Sequence, residues 1–74
     1  MSGRPVKRSL TLKGHRTSVS LEDEFWRAFR QIAEEKDIAL NVLAAEIDAA
    51  RGVESGLASA IRVYVLNHYR GKRG

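Results

Sequence analysis

The sequence predicts a mainly α-helical domain with a short N-terminal β ribbon. Three observations support this fold class: polarity alternates between residues 8 and 21, segments with helical spacing of apolar residues follow, and basic residues gather near both ends of the chain. A period of two is typical of a half-buried strand, and spacing of three and four is typical of an amphipathic helix. We therefore expect one domain in which the strand segment precedes the helices.

A chain of 74 residues, 43% of them hydrophobic and none of them cysteine, carries a large apolar fraction for its size. Domains this short bury little more than half of their unfolded surface and lie near the limit of independent stability. The sequence therefore favours an obligate oligomer whose subunits share one core. It has no apolar stretch long enough for a membrane span and no signal peptide within residues 1–20, so we expect a cytoplasmic protein.

The net charge of +4 is unevenly distributed along the chain. Residues 1–20 contribute +5, residues 21–62 contribute −4, and residues 70–74 contribute +3. We divide the chain into a flexible basic arm (residues 1–6), a folded domain (residues 7–70) and a basic tail (residues 71–74). This distribution favours a polyanionic partner that meets one face of the protein, although basic termini are also common on proteins that leave them solvated.

The alternating segment changes its apolar face at Gly14. Leu10 and Leu12 occupy even positions, whereas Val19 and Leu21 occupy odd positions. A continuous strand cannot change faces in this way, because its side chains alternate with a period of two. Gly14 therefore marks either a bulge or a turn.

A turn at Lys13-Gly14 would make a hairpin with a definite register. That register pairs Leu12 with His15, Leu10 with Thr17 and Arg8 with Val19. The polar side of such a hairpin would consist of Ser9, Thr11, Arg16, Ser18 and Ser20. The alternative, a bulge, leaves the last three of these residues on the polar face as well.

Helical spacing predicts a first helix from about Glu22 to Lys36. We expect Ser20 to be its N-cap, because residues 20–23 have the Ser-x-x-acid form and an acidic first turn suits the helix dipole. The buried stripe should consist of Phe25, Phe29, Ile32 and Ala33, with Trp26 at one edge. We interpret the aromatic residues as core rather than as a platform for stacking bases, since they lie among apolar neighbours on an acidic helix.

Two further helices are predicted. One face of the second helix consists of Leu40, Leu43, Ala44 and Ile47, and Gly52 should close this helix as a left-handed cap after Arg51. Ser55 should cap a third helix from Leu57 to about Tyr69. Residues 61–66 are rich in β-branched side chains that would also suit a strand, but their helical spacing favours a helix. Apolar residues occupy more than one face of this helix, which favours burial between subunits.

Several short motifs carry a family resemblance. The strongest is the run GHRTSVSLE at residues 14–22, and weaker ones are KRS at 7–9, FW at 25–26 and AxEID at 44–48. Together with the order strand, helix, helix, they resemble the ribbon-helix-helix DNA-binding proteins of the MetJ/Arc class. More narrowly, they are similar to a bacterial subgroup of small single-domain members, and the similarity covers residues 7–70.

The resemblance implies an intertwined homodimer in which one strand from each subunit pairs antiparallel. Such a ribbon enters the DNA major groove, and higher-order assembly on DNA is left open. The residues that match the family's base-contacting positions are Arg16, Ser18 and Ser20. Arginine can donate two hydrogen bonds to guanine, and serine can donate or accept at either base.

The resemblance also implies residues for the DNA backbone and for the dimer core. In the family, the N-terminus of the second helix binds a phosphate through free backbone N–H groups. The matching residues here are Leu40 and Asn41, after Ala39 in place of the usual Ser or Thr cap. Further expected phosphate contacts are Lys7, Arg8, Lys13 and His15. The expected dimer core consists of Val19, Leu21, Phe25, Phe29, Ile32, Leu43, Ile47, Ile61 and Val65.

Other functions have less support in the sequence. An enzyme would need a pocket, and the chain offers two histidines, no cysteine and no glycine-rich phosphate loop. His15 and His68 could be metal ligands, as in nickel-sensing relatives, but those relatives carry a separate ligand domain, so we expect His15 to be a phosphate or edge-strand contact and His68 a residue on the surface of a helix. We therefore expect no catalytic residue, metal, cofactor or small-molecule substrate.

Two binding alternatives remain. RNA binding would favour exposed aromatic residues interleaved with basic ones, and the sequence does not show that pattern. The main alternative is a protein-interaction module, such as the dimerisation domain of an antitoxin. The toxin-wrapping tail that such proteins usually carry is not expected after the third predicted helix.

Overall fold

A computed structural model describes residues 3–71 and contains two strands followed by three helices. The elements are β1 (Val6–Leu12), β2 (His15–Leu21), α1 (Asp23–Lys36), α2 (Leu40–Ala50) and α3 (Leu57–Gly71). This order confirms the predicted fold class and the helical interpretation of residues 61–66. The predicted arm and tail lie partly outside the described residues, and Val6 of the arm belongs to β1.

The apolar face changes at Gly14 because the chain makes a tight hairpin turn there rather than a bulge. Lys13 and Gly14 both have positive φ angles, 53° and 86°, which is the backbone conformation of a type I′ turn. Strand β1 pairs antiparallel with β2, and the register includes Leu12 with His15, Leu10 with Thr17 and Arg8 with Val19. The hairpin register proposed from the sequence is therefore confirmed. Both strands of this hairpin belong to the same chain.

Helix α1 begins within one residue of its predicted start, but its N-cap residue differs from the prediction. Ser20 is paired with Lys7 in the hairpin, so the predicted capping role of Ser20 is wrong. Glu22 is the N-cap residue, without a side-chain hydrogen bond to the helix, and the acidic first turn supplied by Asp23 and Glu24 is present. The residue after the helix, Asp37, is its C-cap, and the left-handed backbone of Asp37 (φ 59°) lets its N–H bond to carbonyls of the last turn.

The ends of the loop between α2 and α3 also differ from prediction. Gly52 is not a left-handed cap, because α2 ends at Arg51 with extended backbone and Gly52 has no positive φ. The Arg51 side chain instead bonds to Asp48 at 2.7 Å and to the Ser55 carbonyl. The carbonyl of Gly56 accepts the first helical bond of α3, from Ala60 at 3.0 Å, so Ser55 lies one residue before the cap position.

The hydrophobic core is closed within one chain. Helix α3 packs against α1, α2 and β2, and α2 packs against β1. Of the residues predicted for a dimer core, only Phe25 is half-buried, while the others are buried in the single chain. Within this single chain, α3 covers the apolar side of β2.

Candidate nucleic-acid interface

The hairpin has an outer face that consists entirely of exposed polar residues. We define this outer face as Lys7, Ser9, Thr11, Arg16, Ser18 and Ser20. The register places them as three cross-strand pairs: Lys7 with Ser20, Ser9 with Ser18, and Thr11 with Arg16. The predicted base-contacting residues thus lie together on one surface, and β1 adds three more polar residues beside them.

The inner face of the hairpin fixes the outer face in place. Leu10, Val19 and Leu21 are exposed by only 3%, 4% and 0%, and they pack into the core with the helices. Because side chains alternate along a strand, burial of these residues commits their neighbours to the opposite face. The outer face is therefore held on a packed platform rather than on a mobile loop.

The outer face carries hydrogen-bonding groups and no carboxylate. Arg16 and Lys7 are donors with positive charge, and the hydroxyl groups of the serines and Thr11 donate or accept. These are the side-chain groups that contact guanine and other base edges in the major groove. These side chains suit an anionic ligand whose edge carries both hydrogen-bond donors and acceptors.

Helix α1 contacts the hairpin through Arg8, a residue predicted to bind phosphate. Arg8 lies on the inner face opposite Val19, where its Nη2 donates to Asp23 at 2.8 Å and its guanidinium lies 5.2 Å from the Trp26 ring centroid. This placement does not favour the predicted phosphate contact. Arg8 instead joins β1 to the start of α1.

Helix α2 contacts the outer edge of β1 through Asn41. The Asn41 Oδ1 accepts a hydrogen bond from the Thr11 backbone N–H at 3.1 Å. The predicted phosphate-binding segment therefore lies next to the outer face, although the Asn41 side-chain oxygen is used inside the chain. Among the described residues, the backbone N–H groups of Leu40 and Asn41 have no hydrogen-bond partner, as is usual in a first helical turn.

Helix α3 contacts the end of β2 through Arg62, a residue that the sequence analysis missed. Its Nε donates to Glu22 at 3.0 Å, its Nη2 donates to the Ser20 carbonyl at 3.2 Å, and the guanidinium lies 5.9 Å from the Phe25 ring centroid. A hydrogen bond from its own backbone N–H and one from Arg62 lower the pKa of the Glu22 carboxyl below its ordinary value of 4.5. The available signal was a single arginine within the apolar run of residues 61–66.

The remaining side chains predicted to contact phosphate lie at the two ends of the hairpin. Lys13 is in the turn and His15 begins β2, and both are exposed. Lys7 lies at the opposite end, about 20 Å away for six residues of extended strand. The basic groups therefore flank a centre of hydroxyl groups, which is an arrangement suited to a ligand with phosphates on both sides.

The two histidines do not form part of a metal site in the described structure. Nε2 of His68 is 3.2 Å from Glu35 Oε1, whereas His15 belongs to the hairpin. Within residues 3–71, no group of three or more His, Cys, Asp or Glu side chains is placed to hold a metal ion. No helix in that range is long and apolar enough to cross a membrane.

The described fold is a hairpin with a polar outer face followed by three packed helices. Residues 5–69 match the profile of the ribbon-helix-helix domain. The chain belongs to the ribbon-helix-helix family, which is a non-enzymatic family of DNA-binding regulators. No curated protein and no solved structure matches the chain.

Proposed function

We propose that the protein binds double-stranded DNA by inserting the outer face of its hairpin into the major groove. The observation that carries this proposal is the outer face itself, which presents six exposed hydrogen-bonding side chains and no acid on a buried platform. Membership of the ribbon-helix-helix family supports the same ligand.

The dimensions of the hairpin suit the groove. Neighbouring strands lie about 4.8 Å apart, and the major groove of B-DNA is about 12 Å wide, which admits a two-stranded ribbon. Insertion would place Arg16, Ser18 and Ser20 against base edges. Arg16, with its fork of donors, is the residue we assign to a guanine.

The residues around the groove would contact phosphates. We propose that Lys13 and His15 contact one phosphate strand from the turn and that Lys7 contacts the backbone near the open end of the hairpin. The free N–H groups of Leu40 and Asn41 would supply a third contact, because the N-terminus of a helix attracts anions. These contacts position the protein and carry no sequence information directly.

We further propose that the protein is a homodimeric transcriptional repressor in the bacterial cytoplasm. The dimer is supported by the family rather than by an uncovered core, since the residues of the core cluster are buried within the single chain. Light scattering at micromolar concentration should give twice the chain mass of 8.3 kDa. A folded particle of 8.3 kDa would contradict the dimer without affecting the proposed DNA contact.

Selection from random DNA duplexes tests the DNA-binding function. We expect enrichment of a short sequence, with an affinity that falls as salt rises because bound lysines and arginines release counterions. Absence of any enriched sequence would favour the alternative, an antitoxin-like interaction module. That alternative has one structural observation in its favour: Val63 and Leu66 on α3 are 53% and 52% exposed.

A further inference from the structure

We propose that Arg62 of α3 positions Ser20, one of the residues assigned to base edges, and so affects sequence preference without contacting DNA itself. Arg62 acts through the backbone carbonyl of Ser20, to which its Nη2 donates at 3.2 Å. This positioning role rests on the proposed function, in which Ser20 contacts a base. A helix that contributes no residue to the outer face thereby becomes a determinant of sequence preference.

The Arg62 guanidinium bridges the end of β2 and the start of α1. Its Nε donates to the Glu22 carboxylate at 3.0 Å while its Nη2 donates to the Ser20 carbonyl, and the group lies 5.9 Å from the Phe25 ring centroid. The two bonded residues flank Leu21, which has no exposed surface. Because the donors of a guanidinium have a fixed fork geometry, the bond to Glu22 orients the bond to Ser20. The Ser20 carbonyl is therefore bonded to a donor that is itself held in place.

Ser20 lies at the end of the hairpin that the turn restrains least. It is the last residue but one of β2, and its partner Lys7 is the second residue of β1. The ends of secondary-structure elements open more readily than their middles. A hydrogen bond from α3 restrains this end, since Ile61 and Val65 hold α3 in the core on both sides of Arg62 along the sequence.

The short side chain of Ser20 makes the position of its backbone important. The serine hydroxyl is attached directly to Cβ, so one rotatable bond separates it from the main chain, whereas Arg16 can adjust its reach through several. A hydrogen bond to a base edge needs both a short distance and good alignment. The side chain of Ser20 cannot compensate for a shift of its backbone. The bond from Arg62 should therefore be worth about as much as the base contact that it positions.

The contact between Arg62 and Ser20 is compatible with pairing of β2 to a further strand. Both residues belong to the same chain, and a carbonyl oxygen has two lone pairs. The Ser20 carbonyl can therefore accept a hydrogen bond from Arg62 and another from the backbone N–H of a neighbouring strand. The positioning role requires no particular source for the second strand of the ribbon on DNA.

A double-mutant cycle on DNA binding tests whether Arg62 acts through Ser20. The variants are Ser20→Ala, Arg62→Met and the double substitution, since methionine keeps an unbranched side chain but donates no hydrogen bond. Arg30→Met is the matched control, because Arg30 is an exposed arginine on α1 and its substitution removes the same charge. Each variant is titrated with the selected duplex and with random duplexes over a range of salt concentrations.

Thermal melting shows whether each variant is folded at the temperature of the titrations. If Arg62→Met is not, Arg62→Lys takes its place in the cycle. Lysine retains the positive charge but not the fork of donors that bonds both Glu22 and the Ser20 carbonyl, so the same losses are expected.

We expect Ser20→Ala to lower affinity for the selected duplex by about 3- to 10-fold, the value of one hydrogen bond. Arg62→Met should lower it by a similar factor, and the double variant should bind no more weakly than Ser20→Ala. Selection with either single variant should show relaxed preference at the same base pair. Affinity for random duplexes should change by less than about 2-fold with an unchanged salt slope, because no phosphate contact is lost. Arg30→Met should bind both kinds of duplex like wild type.

Three results would overturn the positioning role and leave DNA binding itself intact. Equal losses on selected and random duplexes, with a salt slope smaller by about one, would identify Arg62 as a phosphate contact. Additive losses in the double variant would show that Arg62 does not act through Ser20, and so would the absence of a loss in either single variant. If wild-type protein selects no sequence at all, the proposed function fails and the positioning role fails with it.

Discussion

The inner and outer faces of the hairpin alternate along the same two strands but have opposite environments. On the inner face, Leu21 is fully buried and Val19 is exposed by only 4%. On the outer face, Ser18 and Ser20 are exposed, and the hydrogen bond between Ser20 and α3 is made by its backbone carbonyl. Changes to the inner face should therefore alter stability, and changes to the outer face should alter binding with little effect on folding.

The largest effect should come from the core beneath the inner face. Phe29 has no exposed surface, so Phe29→Ala should lower the free energy of unfolding by about 3–5 kcal/mol. This loss is comparable to the whole stability of a small domain. Denaturant unfolding measures it, with Val63→Ala as the control, since Val63 is 53% exposed. Equal stability of the two variants would show that the core is not closed as described.

The next largest effect distinguishes a side chain that contacts DNA bases from one that stabilises the fold. Arg16→Ala should weaken binding to the selected DNA by about 1–3 kcal/mol and relax discrimination at one base pair. The free energy of unfolding should change by no more than about 0.5 kcal/mol, because Arg16 is exposed. Binding titrations with selected and random duplexes provide the comparison. A loss of the same factor on both would identify Arg16 as a phosphate contact.

A smaller effect concerns the charge at the turn. Lys13→Ala should weaken binding to all sequences alike and should reduce the slope of log affinity against log salt by about one. Lys36→Ala is the matched control, since Lys36 lies in the last turn of α1. The same titrations on Lys7→Ala test whether the lysine at the open end also contacts phosphate. An unchanged salt slope for Lys13→Ala would exclude a phosphate contact at the turn.

The smallest effect concerns pH and the contact between α3 and the end of β2. The pKa of Glu22 is lowered in the folded protein, so its ionised form stabilises the fold above the unfolded pKa of about 4.5. This contribution should be lost as the pH falls through the lowered value. Thermal melting should show Glu22→Gln less stable than wild type at pH 7 and equal to it in strong acid. A constant difference at every pH would contradict this role of the carboxylate.

The two faces of the hairpin could be predicted from the sequence because they follow from local patterns. The alternation of polarity and its reversal at Gly14 are local signals; they left a bulge and a turn open, and the register that they predict for a turn is the observed one. The predicted capping role of Ser20 failed because pairing with Lys7 keeps Ser20 in the strand. A local capping motif cannot indicate whether a preceding strand will end before it.

Features that depend on distant residues could not be predicted in this way. Arg62 contacts Glu22 and Ser20 across 40 and 42 positions of the chain. The covering of the inner face by α3 has the same origin, since it depends on how three helices pack and not on the spacing within any one of them. The sequence indicated that apolar surface on α3 had to be buried, but not that Ile61 and Val65 would be buried within the same chain.

The backbone conformation of the turn and the proposed phosphate contact favour different residues at position 13. Its φ of 53° is a left-handed conformation that costs an L-residue other than glycine about 1–2 kcal/mol, and asparagine tolerates it better. Asparagine or glycine at this position would therefore make a more stable hairpin with a weaker positive potential at its tip. Under the proposed function, the lysine supplies a cation at the turn in exchange for conformational energy, which is the usual form of a stability–activity trade-off.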